Sequence, residues 1–262
     1  MFFILLYNIT IVLLGGEGLE HWEFLKPDGL QFVYDDTLFR PGTDTFLLSS
    51  FPRLKSRLRV CDLGSGTGLL SLLLLQRHPA LSVTGIEIQE AAVSLAQKAI
   101  AVNHLEEQLS FFHQDLRTVK STFPSGSFDL VVCNPPYYPP KSGFIAADQA
   151  ISTARSETDC SLEDVCRAAA YLLRWGGDFC VVHKPERLTD LLCTMRTVGL
   201  EPKRMRFICK SAPSAPSLVL IEARRGGKSG LIIEPPLILQ TEHGAPTPEV
   251  DAIYFRTLED TP

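Results

Sequence analysis

The sequence predicts an α/β fold, a mostly parallel seven-stranded sheet with an antiparallel C-terminal strand pair and helices on both faces. Three observations predict it. From residue 58 onward, short apolar segments alternate with longer segments of helical periodicity. Glycine-rich and proline-rich stretches punctuate the junctions. The last two apolar segments follow one another with no helix between them.

Leu58–Leu63 is apolar and ends in glycines, as a first strand does. The leucine-rich stretch Thr67–Arg77 opens directly out of those glycines as a helix. Leu81–Ile88 reads as the second strand. Glu90–Asn103 carries Ala, Val, Leu and Ile at helical spacing and ends in Asn, a C-terminal stop signal. Leu109–His113 and Phe128–Cys133 are the third and fourth strands. Ser161-Leu162-Glu163-Asp164 resembles a capping box, and its helix is expected to run to Arg174, before Gly176-Gly177. Asp178–His183 is a fifth strand and Pro185–Val198 a helix. Met205–Cys209 and Leu218–Ala223 close the series, and the linker Ser211–Pro216 suits a hairpin return. Around this core, residues 1–20 read as an irregular apolar extension and 21–57 as an N-terminal flap over the ligand site. Residues 58–228 form the main domain, and 229–262 a Pro- and acid-rich tail with one strand-like piece, Leu231–Ile233.

At 262 residues the chain suits one large domain with a small appendage. With 45% hydrophobic and 21% charged residues it can bury a full core, which excludes global disorder. A net charge of −5 argues against gripping nucleic acid by bulk electrostatics and leaves only local basic patches for that role. The seven cysteines are odd in number and none are spaced as C-x-x-C. They read as reduced, buried side chains of a cytoplasmic protein, with neither a disulfide framework nor a metal site. Residues 1–14 are almost wholly apolar, yet shorter than the roughly 20 residues that span a bilayer. They lack a basic n-region and a cleavage site, so neither a signal peptide nor a stable membrane association is expected. The sequence carries no signal for an oligomeric state.

Two motifs carry chemistry. The first is Asp62-Leu63-Gly64-Ser65-Gly66-Thr67-Gly68, between the first strand and first helix. Its glycines let the chain turn sharply and bring backbone N–H groups close to a ligand. The pattern is neither G-x-G-x-x-G nor a P-loop, and an acid beside it would repel a pyrophosphate while attracting an ammonium. Glu87, 19 residues beyond Gly68, ends the second strand, where an acid accepts both hydroxyls of a ribose. Asp115, after the third strand, is placed to accept an adenine amino hydrogen, with the Leu116 N–H and side chain beside it. Together these groups describe a site for S-adenosylmethionine, at the strand ends where open α/β sheets bind ligands.

The second motif is Asn134-Pro135-Pro136-Tyr137, which closes the fourth strand. The Asn134 side-chain oxygen and the Pro135 carbonyl can accept two hydrogens of one NH2 group. The prolines stiffen the corner, and Tyr137 offers a stacking face for a flat group. A Pro-rich exit turn remains the bland alternative for these residues taken alone. His183, at the end of the fifth strand, is read as structural, with a pocket role as the alternative.

DLGSGTG, the acid of GIEIQ and the NPPY corner resemble the Rossmann-like class I methyltransferases, in their amino-methylating branch. Residues 27–254 are similar to the bacterial tRNA1(Val) adenine-N6 methyltransferases, with further support from Phe39–Leu48, His183–Leu188, Leu200–Phe207 and Thr247–Val250. The resemblance implies that Asp62, Gly64, Gly66 and Gly68 bind the methionine end of the cofactor, Glu87 the ribose and Asp115 the adenine. It implies that Asn134, Pro135 and Tyr137 hold the acceptor base, and that Thr43 and Asp44 lie against the cofactor. Where relatives often carry His-Glu after Ala-Arg, this chain reads Ala154-Arg155-Ser156-Glu157. The implied partner is tRNA, and Lys203, Arg204, Arg206, Arg224 and Arg225 are the cations nominated to meet it, with Arg53, Lys55, Arg57 and Arg59 as a second cluster. The corner serves a protein glutamine amide or a guanine N2 equally well, and a non-catalytic RNA-binding module is the alternative from another class.

Overall fold

A computed structural model describes residues 7–15, 18–35, 38, 42–137 and 160–256, with the backbone alone for 7–15, 18 and 19. The chain opens with a three-stranded antiparallel sheet of β1 (Tyr7–Gly15), β2 (Gly18–Phe24) and β3 (Gln31–Asp35). The irregular extension expected over residues 1–20 is thereby corrected, since the backbone of Tyr7–Gly15 pairs with Gly18–Phe24. Trp22, Phe32 and Val33 are buried, and Asn103 exchanges two hydrogen bonds with the Gln31 backbone at 2.7 and 2.6 Å. The apolar face of this small sheet is thus held on a neighbouring helix.

Helix α1 (Thr43–Ser50) leads into the central sheet, built from β4 (Arg59–Leu63), β5 (Ser82–Glu87), β6 (Leu109–His113), β7 (Phe128–Cys133), β8 (Leu173–His183), β9 (Leu200–Cys209), β10 (Pro216–Arg225) and β11 (Ile232–Ile238). The helices between them are α2 (Leu69–Arg77), α3 (Glu90–Asn103), α4 (Leu162–Leu172), α5 (Leu188–Thr197) and α6 (Pro248–Ile253). The strand order is β11-β9-β10-β8-β7-β4-β5-β6, with β10 antiparallel to both of its neighbours and the other pairs parallel. The sheet has eight strands rather than seven, because the strand-like piece of the tail docks on β9 and adds an edge.

Side chains alternate across the sheet as the period of two requires. Val60, Leu130, Val132, Cys180 and Val182 point into the core shared with α1, α2 and α3. Cys61, Val131, Cys133, Phe179 and Val181 point into the core shared with α4 and α5. Both faces are therefore covered, and each buried aliphatic contributes about 1.5–3 kcal/mol. The seven cysteines are all free; five are buried, while Cys160 is half-buried and Cys193 exposed.

One boundary differs from the sequence expectation. The helix opened by Ser161 and Asp164, which form a complete capping box, ends at Leu172, not Arg174. Leu173 already pairs with Phe128, and β8 bulges between Phe128 and Leu130 on its partner. Gly177 fits that bulge because a Cβ there would lie 2.9 Å from the Asp129 carbonyl oxygen. The tail also folds back: Tyr254 stacks on Phe46 of α1 at 4.7 Å, and Arg77 Nη2 donates to the Ile253 carbonyl at 2.6 Å. This buttress fixes α1, whose first turn reaches the candidate site.

Candidate active site

β4 and β7 lie side by side, and the chain leaves them in opposite directions, toward β5 and β6 on one side and toward β8 on the other. That reversal is a topological switch point, where open α/β sheets leave a crevice. Leu63 pairs with Cys133, so Gly64 and Asn134 emerge from the sheet beside each other. The glycine loop and the NPPY corner line one cleft, together with Glu87, Asp115 and Leu116.

The glycine loop forms one wall. Gly64 and Gly66 have φ of +69° and +54°, and a Cβ on either would meet nothing within 4 Å. They face open space that a side chain would fill, the property of a cradle for a ligand. Gly68 differs: it caps α2 with φ of +85°, and a Cβ there would come 2.5 Å from the Phe111 ring. Its glycine serves helix–sheet packing and lies off the cleft. Glu87 is buried and accepts from the Gly66 N–H at 2.8 Å through Oε2 and from the Gln89 N–H at 2.9 Å through Oε1. Each oxygen keeps a further lone pair. Asp62 is also buried and accepts from Ser71 Oγ at 2.8 Å. Burial pushes its carboxyl up to about 7; the Ser71 hydrogen bond opposes the rise and the Glu87 charge adds to it.

Asp115 stands across the cleft, with both oxygens engaged by Arg117. The Arg117 backbone N–H donates at 2.9 Å to Oδ1, and the guanidinium reaches Oδ2 at 2.8 and 2.5 Å. This pairing holds the Asp115 carboxyl below the usual range. The Leu116 N–H has no partner among the described residues, so it is the freer polar group at that end.

The NPPY corner is tied to α1. Asn134 Nδ2 donates to Thr45 Oγ1 at 3.0 Å. The Tyr137 hydroxyl lies 3.2 Å from Asn134 Oδ1 and hydrogen-bonds to Asp44 Oδ2 at shorter range. A hydroxyl has one proton, and the carboxylate is the stronger acceptor. Tyr137 therefore donates to Asp44, which leaves Asn134 Oδ1 facing the cleft as an acceptor. The His183 and Tyr137 rings meet edge to face with centroids 5.5 Å apart. His183 is buried, which lowers its pKa, and its Nδ1 accepts from the Lys184 N–H at 2.8 Å. It is a neutral, structural support for the tyrosine.

Of the residues singled out in the sequence, Thr43 opens α1 and does not line the cleft; its carbonyl accepts from the Tyr254 hydroxyl at 3.5 Å. Asp44 sits on the acceptor side, against Tyr137. Thr45, Ser71, Gln89 and Arg117 escaped the sequence reading; they act through contacts between distant segments or a local turn, and no motif marks them.

The five cations nominated over residues 203–225 each have partners within the chain. Arg204 is buried, stacked 3.9 Å from the Phe51 ring centroid and bonded to Glu222 at 2.7 Å. Arg206 forms a fork with Glu249 at 2.6 and 2.9 Å, and Arg224 pairs with Asp178 at 2.8 Å. Lys203 donates to the carbonyls of Lys228 and Gly230, and Arg225 to those of Tyr171 and Leu173. Arg224 and Arg225 pair with Asp178 and Leu200, at the sheet end away from the cleft. Arg57 and Arg59 precede and open β4, also at that end, roughly 15 Å from the loop that follows the strand. Residues 138–159, with the Ala154–Glu157 stretch, lie outside the described residues.

The methyltransferase small domain family matches residues 32–190. The chain belongs to that family. A tRNA1(Val) (adenine(37)-N6)-methyltransferase of Yersinia pseudotuberculosis is 30% identical over 173 residues, covering 64% of this chain and 68% of the relative. One of Yersinia pestis matches to the same extent. Among solved structures, a predicted O-methyltransferase from Agrobacterium tumefaciens superposes with a TM-score of 0.65 at 21% identity, over 81% of this chain and 96% of that one. A geranyl diphosphate C-methyltransferase from Streptomyces coelicolor, solved with S-adenosyl-L-homocysteine, gives 0.50 at 12% identity, over 69% and 78% of the two chains. The fold is the Rossmann-like class I methyltransferase fold, and the protein is an S-adenosylmethionine-dependent methyltransferase. The open cradle of Gly64 and Gly66 and the buried acids Asp62 and Glu87 fit that cofactor. Among the described residues no cluster of His, Cys, Asp or Glu could hold a metal ion, and no helix is long and apolar enough to cross a membrane.

Proposed function

We propose that this methyltransferase acts on the exocyclic N6 of an adenine in cytoplasmic tRNA. The observation that carries the reading is the state of Asn134. Thr45 accepts from its amide nitrogen and Asp44 accepts the hydrogen bond of the Tyr137 hydroxyl, so Oδ1 is left as a fixed acceptor beside the glycine loop. Such an oxygen, with the Pro135 carbonyl, suits the two hydrogens of one planar amino group. The relatives named for adenine-N6 methylation of tRNA1(Val) support adenine as the bearer of that group.

Bound S-adenosylmethionine supplies an electrophilic methyl group. The chain's own residues do the rest. Gly64 and Gly66 give room and backbone N–H groups to the amino-acid end, and Asp62 an anionic partner for its ammonium. Glu87 accepts from the ribose hydroxyls, and Leu116 and Asp115 flank the adenine. Asn134 Oδ1 and the Pro135 carbonyl accept the two amine hydrogens, which turns the nitrogen lone pair out of conjugation. Tyr137 stacks on the base, which must leave its RNA stack to enter. Orientation supplies much of the barrier reduction, and no strong base is required, since an amine becomes acidic as it is alkylated.

The test is to incubate the protein with labelled S-adenosylmethionine and either bulk tRNA or a glutamine-bearing release-factor protein. Label recovered as N6-methyladenosine from tRNA supports the reading. Label in the protein, or in N2-methylguanosine, rejects it.

A further inference from the structure

The committed cations leave open which group would meet an anionic substrate at the cleft itself. Among the described residues, Arg117, Lys184, Arg187 and, two strands further out, Lys210 stand at that end of the sheet. Arg117 is bound to Asp115 and Arg187 to Asp190 at 2.8 Å. Lys184 is different. It directly follows β8, is half-buried, and makes no ion pair or side-chain hydrogen bond among the described residues. Its Nζ lies 5.3 Å from the centroid of the Tyr137 ring. Tyr137 lines the cofactor cleft, whereas Lys184 and His183 do not. The ammonium thus stands over a face of the ring without itself lining the cleft.

We propose that Lys184 binds a phosphate flanking the acceptor nucleotide, and so selects a polynucleotide over a protein segment. The proposal rests on the adenine reading above. A base that stacks on Tyr137 needs the face that the ammonium covers. A cation over a partly buried ring gains about 0.5–2 kcal/mol, which a charge-assisted bond to a phosphate can replace. The neutral His183 behind the ring offers no anion to recapture it, and Asp44 is engaged by the Tyr137 hydroxyl. On its flexible four-carbon stem Lys184 swings outward to the rim, where the backbone of the entering nucleotide passes. A phosphate provides the anion that replaces the ring; a glutamine side chain brings none.

The test compares wild type, Lys184→Ala and Lys184→Arg in steady-state methylation of bulk tRNA at 50 and 200 mM salt. Loss of one phosphate contact lowers the salt slope by about one. Lys184→Ala should raise the tRNA KM at 50 mM, and its ratio to wild type should shrink about threefold at 200 mM. Lys184→Arg should restore the wild-type slope. Equal KM values for Lys184→Ala and wild type at both salts, on tRNA whose adenine is methylated, would overturn the proposal. So would a fall in kcat alone, which would mean that Lys184 only props the Tyr137 ring. Wild type that labels a protein glutamine and leaves tRNA unlabelled would overturn the adenine reading itself, and with it the partner assigned to Lys184.

Discussion

Asn134 Nδ2 donates to Thr45 Oγ1 at 3.0 Å, across 89 residues of sequence. This bond fixes which end of the amide faces the cleft. Without it the two ends of the amide group compete for the acceptor position. Thr45→Val removes the hydroxyl and keeps the shape. It should lower kcat about fivefold, as one hydrogen bond of about 1 kcal/mol predicts, and leave cofactor affinity intact. Thr45→Ser should recover most of the loss. Single-turnover rates and cofactor titration measure the two quantities separately.

Tyr137 has two separable parts. Its ring is the stacking platform, and its hydroxyl links Asp44 to the corner. Tyr137→Phe should keep the KM for the acceptor and lower kcat modestly. Tyr137→Ala should raise that KM by one to two orders of magnitude, since stacking of a base contributes about 1–3 kcal/mol. Equal effects of the two substitutions on KM would reject the platform.

Asp62 makes cofactor binding depend on pH. Its carboxyl titrates at about 7 in the free protein, and an ammonium favours the ionised form. Affinity for S-adenosylmethionine should therefore weaken by about tenfold as pH falls from roughly 8 to 6, with proton release on binding visible by calorimetry in two buffers. Stability runs the other way. A carboxyl raised from 3.8 to about 7 holds its proton in the folded state after the unfolded chain has lost it. Stability of the free protein thus falls as pH rises through that window and levels off above it. Asp62→Asn should remove this contribution in urea denaturation at both ends of the window, and it should flatten the pH dependence of binding.

Arg204 and Glu222 form a buried pair whose role is structural. Glu222→Ala leaves the guanidinium with Glu234 at 3.2 Å and the Phe51 carbonyl, and with its main counter-charge gone. It should cost about 3–5 kcal/mol in urea denaturation, partly recovered by adding Arg204→Met. Charge reversal at Arg204 should likewise act on stability rather than on the tRNA KM.

The parts of the site that lie within one segment were legible in the sequence. The glycines, Glu87 and the NPPY corner each close a strand, and parallel topology brings all strand ends to one side. What the sequence could not display was pairing between segments. Nothing in Thr45 distinguishes it from any helical threonine until the tail, through Tyr254 on Phe46, seats α1 beside β7. Basic residues misled for the same reason. Arg204 and Arg206 look like a patch in one dimension, yet each meets an acid from a distant segment, Glu222 for one and Glu249 for the other. Gly68 belongs to the motif by spacing, and only the Phe111 ring beneath it shows that it serves packing. The apolar start read as an extension because nothing in its composition distinguishes a leader from the outer strand of a small sheet.

The central claim is that Asn134 presents the acceptor oxygen for an amino group. Its most direct measurement is methyl transfer to tRNA by Asn134→Ala, with cofactor affinity measured on the same preparation. The account predicts near-complete loss of turnover with S-adenosylmethionine binding retained; near-normal turnover by that variant would contradict it.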